Sequence, residues 1–169
     1  MELLIPGLIL VALMAWASTK IKKRAASAFE VERIDTNTYS LRKPEGFLHV
    51  LGDSDHEFYA YSKEYGEGTG VKARRATIEI DILKAERLVD IRNAIKSSAT
   101  DVEVVRETSS EFELETDETA NETSVRGFYK VVRAQTAVYR LRFAVISEHL
   151  DEYVDRVNET LDSFSVRPN

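Results

Sequence analysis

The chain has 169 residues, a formal net charge of −6 and no cysteine, which excludes disulfides, thiolate catalysis and zinc sites built on thiolates. It also excludes a lipid anchor attached to a cysteine. The first 24 residues hold four basic residues and one acid, and the remainder holds 19 basic and 28 acidic residues, a net charge of −9. Because phosphate groups would repel so acidic a domain, nucleic-acid binding is disfavoured.

The N-terminal 24 residues form an apolar segment followed by a basic cluster. No charged side chain occurs between Leu3 and Thr19, and a run of about this length is near the lower limit for a bilayer-spanning helix. We therefore predict a transmembrane anchor over residues 1–24. Its predicted membrane-embedded residues are Leu3, Leu4, Ile5, Leu8, Ile9, Leu10, Val11, Leu13, Met14 and Trp16. The residues predicted to contact anionic lipid are Lys20, Lys22, Lys23 and Arg24.

Two interpretations of this segment compete. Ala15-Trp16-Ala17 has the small-x-small form of a signal-peptide cleavage site. However, Glu2 precedes the apolar run where a signal peptide carries positive charge, and positive charge beside a spanning segment prefers the cytoplasmic side. We favour an uncleaved single-pass anchor with a cytoplasmic C-terminal domain. The alternative is an exported protein with a cleaved signal peptide and a periplasmic or luminal domain.

A short connector at 25–28 leads into a domain predicted over 29–169. Alternation of apolar and polar residues predicts its strands. These segments are 29–34, 39–43, 47–51, 57–63, 76–82, 102–105, 111–115, 125–133 and 136–146. Residues 116–123 are predicted to be a polar loop, and 134–135 are predicted to be a hairpin turn.

Two segments instead have helical periodicity. In 84–97, the apolar residues Leu88, Ile91 and Ile95 recur on one face, and Val89 widens that stripe. The second helix is predicted to begin after Ser147 as its N-cap. Its apolar stripe is Leu150, Tyr153, Val154, Val157 and Leu161, and Phe164 is predicted to pack under the sheet. Strands in mostly hairpin order with two such helices predict an α+β fold, a mostly antiparallel sheet with helices packed on it.

Three short segments of this domain carry a family resemblance. Residues 39–47, YSLRKPEGF, are a strand followed by Pro-x-Gly-aromatic, residues 139–143, YRLRF, lie in a long penultimate strand, and residues 161–164, LDSF, close the last helix. Together they resemble the PsbP-like α/β/α sandwich family, which also includes DcrB-type bacterial envelope proteins and a Ran-binding import factor. Phe47 stands where tryptophan is common in that family. The resemblance implies a non-catalytic binding or assembly role, often at a membrane, and implies no catalytic residue.

Two polar clusters are candidates for ligand chemistry. Asp53, Asp55, His56 and Glu57 are residue types that bind divalent cations, but their spacing is not that of an EF-hand, so a solvated loop is favoured over a metal site. The glycine-rich loop at 66–70 lacks both the Gly-Lys-Ser/Thr ending and a following helix pattern of phosphate-binding loops. Lys72, Arg74 and Arg75 after it leave weak anion binding as the alternative.

Acidic side chains also alternate along the predicted strands. Glu79 and Asp81, like Glu111 and Glu113, are expected on the sheet face opposite the isoleucines, either in solvent or paired with Arg140 and Arg142. No nucleophile, metal or cofactor constellation is found, so no catalytic, cofactor or metal residue is assigned.

We therefore expect a membrane-anchored, non-catalytic accessory or assembly subunit that binds and stabilises a membrane protein complex. Its expected partners are the lipid bilayer and that complex, without a cofactor or nucleic acid. The alternatives are a lipid-binding or small-molecule-binding module at the membrane surface, or an exported envelope protein.

Overall fold

The computed structural model describes residues 14, 27–52, 55–66 and 73–167. The predicted anchor and its basic cluster lie outside the described residues, except for Met14, which is helical and exposed. None of the helices within the described ranges is long and apolar enough to cross a membrane. The elements are β1 (Glu32–Asp35), β2 (Tyr39–Lys43), β3 (Phe47–His49), β4 (Phe58–Ser62), β5 (Ala76–Lys84), α1 (Leu88–Ser98), β6 (Asp101–Glu107), β7 (Glu111–Ala120), β8 (Thr123–Arg133), β9 (Ala137–Ile146), a 3-10 turn (Ser147–His149), α2 (Leu150–Ser163) and β10 (Ser165–Val166).

The strands form two antiparallel sheets. The larger has seven strands in the order β3-β4-β5-β9-β8-β7-β6, and the smaller has three in the order β1-β2-β10. Neighbours in the large sheet are mostly consecutive in the chain, and the β5-to-β9 pairing joins its two halves. The mixed architecture of antiparallel sheets and two helices confirms the predicted α+β fold.

One face of the large sheet, the core face, packs against α2 and the small sheet. Register places Phe58 of β4, Ile80 of β5 and Leu141 of β9 side by side. Tyr153 and Val157 of α2 belong to the same buried cluster. Burying a large apolar side chain contributes roughly 1.5–3 kcal/mol, so this face supplies most of the stability of the domain. Phe164 is buried there as well, which confirms its predicted position.

The opposite face, the open face, is covered by α1 over part of its area. Ile91 and Ile95 pack on a second buried cluster that includes Leu114, Val131 and Val138. Toward β5 the same face carries polar side chains. They include Glu79 and Asp81, the predicted partners of Arg140 and Arg142 on β9. The two helices therefore lie on opposite sides of one sheet, which gives the α/β/α layering.

The prediction of a polar loop at 116–123 is wrong. Strands β7 and β8 run through this segment, and the turn is confined to Asn121 and Glu122, whose φ angles are 49° and 66°. The polar sequence forms a strand because its side chains find partners on neighbouring strands. Glu118, for example, pairs with Arg142 at 2.7 Å.

Several predicted element boundaries also differ from the structure, including the following three. The helix predicted at 84–97 begins at Leu88, because β5 continues to Lys84 and pairs there with β9. The strand predicted at 29–34 is β1, Glu32–Asp35. Ser147 begins the 3-10 turn and does not cap α2, since its hydroxyl hydrogen-bonds that of Ser124 at 2.9 Å.

The predicted apolar stripes of both helices are too wide by one residue. Val89 of α1 is 42% exposed and Val154 of α2 is 40% exposed. Each lies at the margin of its helix–sheet contact, where the sheet no longer covers the helix.

The prediction that Glu111 and Glu113 lie opposite the isoleucines is wrong, because register places Glu113 on the core face, where it lies 3.6 Å from Lys130.

Candidate functional site

The predicted pairing of two carboxylates on β5 with two arginines on β9 is confirmed. Register places Glu79 beside Arg142 and Asp81 beside Arg140. Their charged atoms approach to 3.3 Å and 2.8 Å. These pairs form the polar half of the open face.

Arg142 is the centre of a wider network. Its guanidinium donates to Glu118 at 2.7 Å and to the Tyr129 hydroxyl at 2.9 Å. The hydroxyls of Tyr129 and Thr116 each donate to Glu118 Oε1 at 2.7 Å. All the groups around Glu118 are therefore donors, an arrangement that favours its ionised form.

The ionisation state of Glu118 follows from these contacts. Its burial would raise the pKa of the carboxyl, but the Thr116 hydroxyl and the Arg142 guanidinium outweigh burial, and the pKa lies below its usual value. Burial also raises the pKa of the Tyr129 hydroxyl. The hydroxyl therefore stays protonated and serves as a hydrogen-bond donor to Glu118. A carboxylate whose ionised form is held by three donors is suited to fixing the sheet rather than to exchanging protons with a substrate.

The predicted metal-type cluster is only partly described. Asp53 lies outside the described residues. His56 Nδ1 lies 2.8 Å from Asp81 Oδ1, and its ring stacks on Tyr59 with centroids 5.7 Å apart. Asp81 thus joins His56 to Arg140. No group of three or more candidate ligands that could hold a metal ion occurs among the described residues.

The anion-binding alternative depended on the basic residues after the glycine-rich loop. Residues 67–72, which include most of that loop and Lys72, lie outside the described residues. The Arg74 guanidinium lies over Tyr61 and Tyr65, at 4.1 Å and 3.9 Å from their ring centroids. It also donates to two backbone carbonyls. Arg75 pairs with Glu152 at 3.0 Å. Both arginines are therefore engaged by the domain itself, which weakens the anion-binding interpretation.

A small pocket, the open-face pocket, lies beside these arginines. Its volume is about 250 Å³, and its floor includes Val125, Ala144 and Ile146. Arg142 and Glu148 contribute polar atoms to its wall. Because Arg142 is already bound to Glu118 and Tyr129, the surface left for a ligand is mainly apolar.

Lys43 forms a clamp that sequence analysis missed. Its side chain is fully buried, and its ammonium donates to the carbonyls of Glu30 and Phe47 at 2.6 Å each and to that of Ala28 at 3.4 Å. Burial lowers the pKa of this ammonium, and the nearby Glu32 carboxylate opposes the shift.

A backbone bond reinforces the clamp. The Gly46 amide, at a φ of 87°, donates to the Phe29 carbonyl at 2.7 Å. Lys43 at the end of β2 and Gly46 of the following Pro-x-Gly turn both lie within residues 39–47, so this stretch fastens residues 28–30 to the body of the domain. A signal for Lys43 was present in the sequence, since alternation places it on the same strand face as Tyr39 and Leu41.

Comparison with solved structures identifies the fold. LpqN, involved in cell envelope biogenesis of Mycobacterium tuberculosis, matches with a TM-score of 0.55 and 11% identity over 82% of this chain and 91% of that chain. Cyanobacterial PsbP from Synechocystis matches with a TM-score of 0.54 and 11% identity over 82% and 94% of the two chains. The domain has a PsbP-like fold.

A protein from Bacteroides thetaiotaomicron is also similar to the PsbP-like domain. It has a TM-score of 0.50 and 13% identity, and the match covers 78% of this chain and 46% of that chain. At these identities the likeness concerns the fold alone. No family model matches the sequence, and no curated protein matches it.

Proposed function

We propose that this chain is a membrane-anchored, non-catalytic accessory subunit that binds and stabilises a membrane protein complex. The observation that carries the proposal is the Lys43 clamp, which fixes residues 28–30 to the PsbP-like domain. The predicted anchor ends at Arg24, so only residues 25–27 connect it to the clamped segment. Such a connector would keep the domain close to the anchor.

The reach of this connector is short. From residue 24 to residue 28 there are four peptide steps, which span at most about 14 Å when fully extended. A domain held this close to the bilayer meets other membrane proteins at a high effective concentration. A modest protein–protein surface is then sufficient for stable association.

Two further observations support a binding role. The carboxylates and guanidiniums on the open face bind one another, as in the pairing of Glu118 with Arg142, and therefore act as structural groups. LpqN, which has the same fold, is involved in cell envelope biogenesis. The predicted orientation, with a cytoplasmic domain, is part of the proposal, and the exported form is its alternative.

The test uses the full chain in its own membranes. After mild detergent solubilisation, the wild-type chain is expected to co-purify with a membrane protein complex. A ten-residue Gly-Ser insertion between Ala26 and Ser27 is expected to reduce that recovery, whereas the same insertion at Gln135, in the β8–β9 turn, is the control. Recovery of the monomer alone in several detergents would overturn the proposal.

Sidedness needs its own measurement. N-terminal sequencing of the mature protein shows whether residues 1–24 are retained. Protease treatment of sealed inside-out and right-side-out vesicles then shows on which side the domain lies. Loss of the first 24 residues, with the domain released by alkaline wash, would favour the exported alternative.

A second candidate function is suggested by the open-face pocket. Its volume of about 250 Å³ is just below the usual range for small-molecule sites, and its apolar floor would suit part of a lipid chain or another small apolar ligand. Native mass spectrometry of the purified chain tests this candidate. A co-purified ligand that is lost in the variant Ala144→Phe, which would fill the pocket, supports it.

A further inference from the structure

A second concave surface, the helix groove, lies between α2 and strands β7 and β8. Its volume is about 340 Å³, and its apolar lining comprises Phe128, Leu150, Val154 and Val157. Val154 is 40% exposed despite being apolar. The margin of the main hydrophobic core is therefore open to solvent along this side of α2.

Acidic side chains line the strand side of the groove. Glu115 and Asp117 project beside Arg126, which binds them at 2.8 Å and 2.9 Å. Glu103 of the edge strand β6 approaches the same guanidinium at 3.9 Å. Three carboxylates thus surround one cation, which leaves a net negative charge at this wall.

The exposed surface of α2 above the groove is acidic too. Asp151, Asp155 and Asp162 occur at helical spacing on the solvent-facing side of α2, beyond Asn158 at the rim of the groove, and all three are exposed. None of them makes a side-chain hydrogen bond or ion pair to another described residue.

The other flank of α2 is different. Glu152 pairs with Arg75 at 3.0 Å, and Glu159 pairs with Arg42 at 2.7 Å. The domain neutralises the acids on that flank and leaves Asp151, Asp155 and Asp162 without an ion pair among the described residues. Together with the acidic strand wall of the groove, these exposed carboxylates favour an external cationic partner.

We propose that the helix groove docks a juxtamembrane segment of the partner membrane protein, one that carries Lys or Arg residues around an apolar side chain. The inference rests on the proposed membrane-anchored function. Cytoplasmic segments next to membrane spans are enriched in Lys and Arg, so their charge is complementary to the acidic strand wall of the groove and to the exposed aspartates on α2. The apolar side chain would cover Val154 and Phe128, while anionic lipid would be repelled by the same carboxylates.

Site-specific photocrosslinking in the native membrane tests the inference. A photoreactive phenylalanine derivative replaces Asn158, which lines the groove, and in a control chain it replaces Asn93, which is exposed on α1. The Asn158 probe is expected to crosslink to a membrane protein, at a Lys- or Arg-containing peptide within about 20 residues of a membrane span. The Asn93 probe is expected not to crosslink to that peptide.

Charge reversal provides the second measurement. The double substitution Asp151→Lys and Asp155→Lys is expected to lower the Asn158 crosslink yield about tenfold or more, because each reversal converts attraction into repulsion. The matched control is Asn93→Lys on α1. Circular dichroism and urea unfolding are expected to show that both variants remain folded, because the substituted side chains are exposed.

Each outcome separates the groove from the proposed function. Co-purification with a membrane complex in the absence of an Asn158 crosslink would overturn the docking inference and leave the accessory role standing. A crosslink to residues 20–24 of the chain itself, or to lipid, or an equal crosslink from Asn93 would also overturn the inference. If the wild-type chain does not co-purify with a membrane protein complex, the proposed function itself is overturned.

Discussion

Gly127 of β8 lies directly against the carboxylate of Glu118 of β7. A Cβ atom on Gly127 would stand 2.5 Å from Glu118 Oε1 and 2.5 Å from the Thr116 hydroxyl oxygen. The polar network on the open face therefore occupies the space that any side chain at position 127 would need. This relationship explains why a glycine stands in the middle of a long central strand, where it would otherwise weaken the sheet.

The first prediction concerns Gly127→Ala. The added methyl group must displace Glu118 and Thr116, and overpacking of this kind costs roughly 1–3 kcal/mol. Urea unfolding measures the loss of free energy of unfolding. In the Gly127→Ala background, Thr116→Ala removes one of the two close contacts and is expected to restore part of the loss. Unchanged stability of Gly127→Ala would contradict the described packing.

The second prediction concerns the pH dependence of stability. Because the pKa of Glu118 is lower in the folded chain than its usual value, its ionised form stabilises the fold. That contribution is complete above about pH 4.3, the ordinary carboxyl pKa of glutamate. It is lost as pH falls from there through the lower pKa of the folded state.

The variant Glu118→Gln tests this dependence. Removing the charge beside Arg142 is expected to cost roughly 1–3 kcal/mol at neutral pH. The difference in stability between wild type and variant is expected to shrink below about pH 4. A difference that stays constant from neutral pH to pH 3 would show that Glu118 does not titrate as described.

The third prediction concerns Lys43→Met. Methionine fills a similar volume but cannot donate, so the carbonyls of Glu30 and Phe47 would each lose a buried partner, at roughly 1–3 kcal/mol per group. Hydrogen exchange is expected to show faster exchange of the Gly46 amide, which is bonded to the Phe29 carbonyl. Arg42→Met, at an exposed neighbouring position, is the control; it removes an exposed ion pair with Glu159 and is expected to change stability by about 1 kcal/mol or less. Equal Gly46 protection in wild type and Lys43→Met would rule out the clamp.

The fourth prediction concerns Arg140→Glu. The carboxylate of the introduced glutamate would face Asp81, which also lies against His56. Repulsion between the like charges would destabilise the fold by roughly 1–3 kcal/mol. Thermal or urea unfolding measures the effect. The double variant Arg140→Glu/Asp81→Arg re-forms a pair of opposite sign and is expected to recover part of the stability. If Arg140→Glu unfolds at the wild-type urea concentration, the ion pair has no structural role.

Sequence patterns were sufficient where one local period dominates. The isoleucine alternation in β5 and the apolar stripe of α2 predicted both elements, because a half-buried strand and an amphipathic helix each leave a periodic trace. The pairing of Glu79 and Asp81 with Arg140 and Arg142 could be predicted for the same reason. The pairing then required only that the fold place β5 beside β9 in the matching register.

Patterns failed where distant residues decide. Residues 116–120 are polar and resemble a loop, and they form a strand because Arg126 and Arg142 on neighbouring strands bind their carboxylates. The width of each apolar stripe also depended on where the sheet ends beneath the helix, which local sequence does not encode.

The amino-acid sequence by itself determined the α+β class and the acidic balance of the domain, since these follow from composition and local periodicity, and it predicts an anchor over residues 1–24. Only the tertiary structure decided the roles of individual polar residues. Lys43 became a clamp, and Glu118 and Arg142 became members of one hydrogen-bonded network. Each role depends on which partners the fold brings within hydrogen-bonding distance, and some of these partners, such as Glu118 and Arg142, lie on different strands.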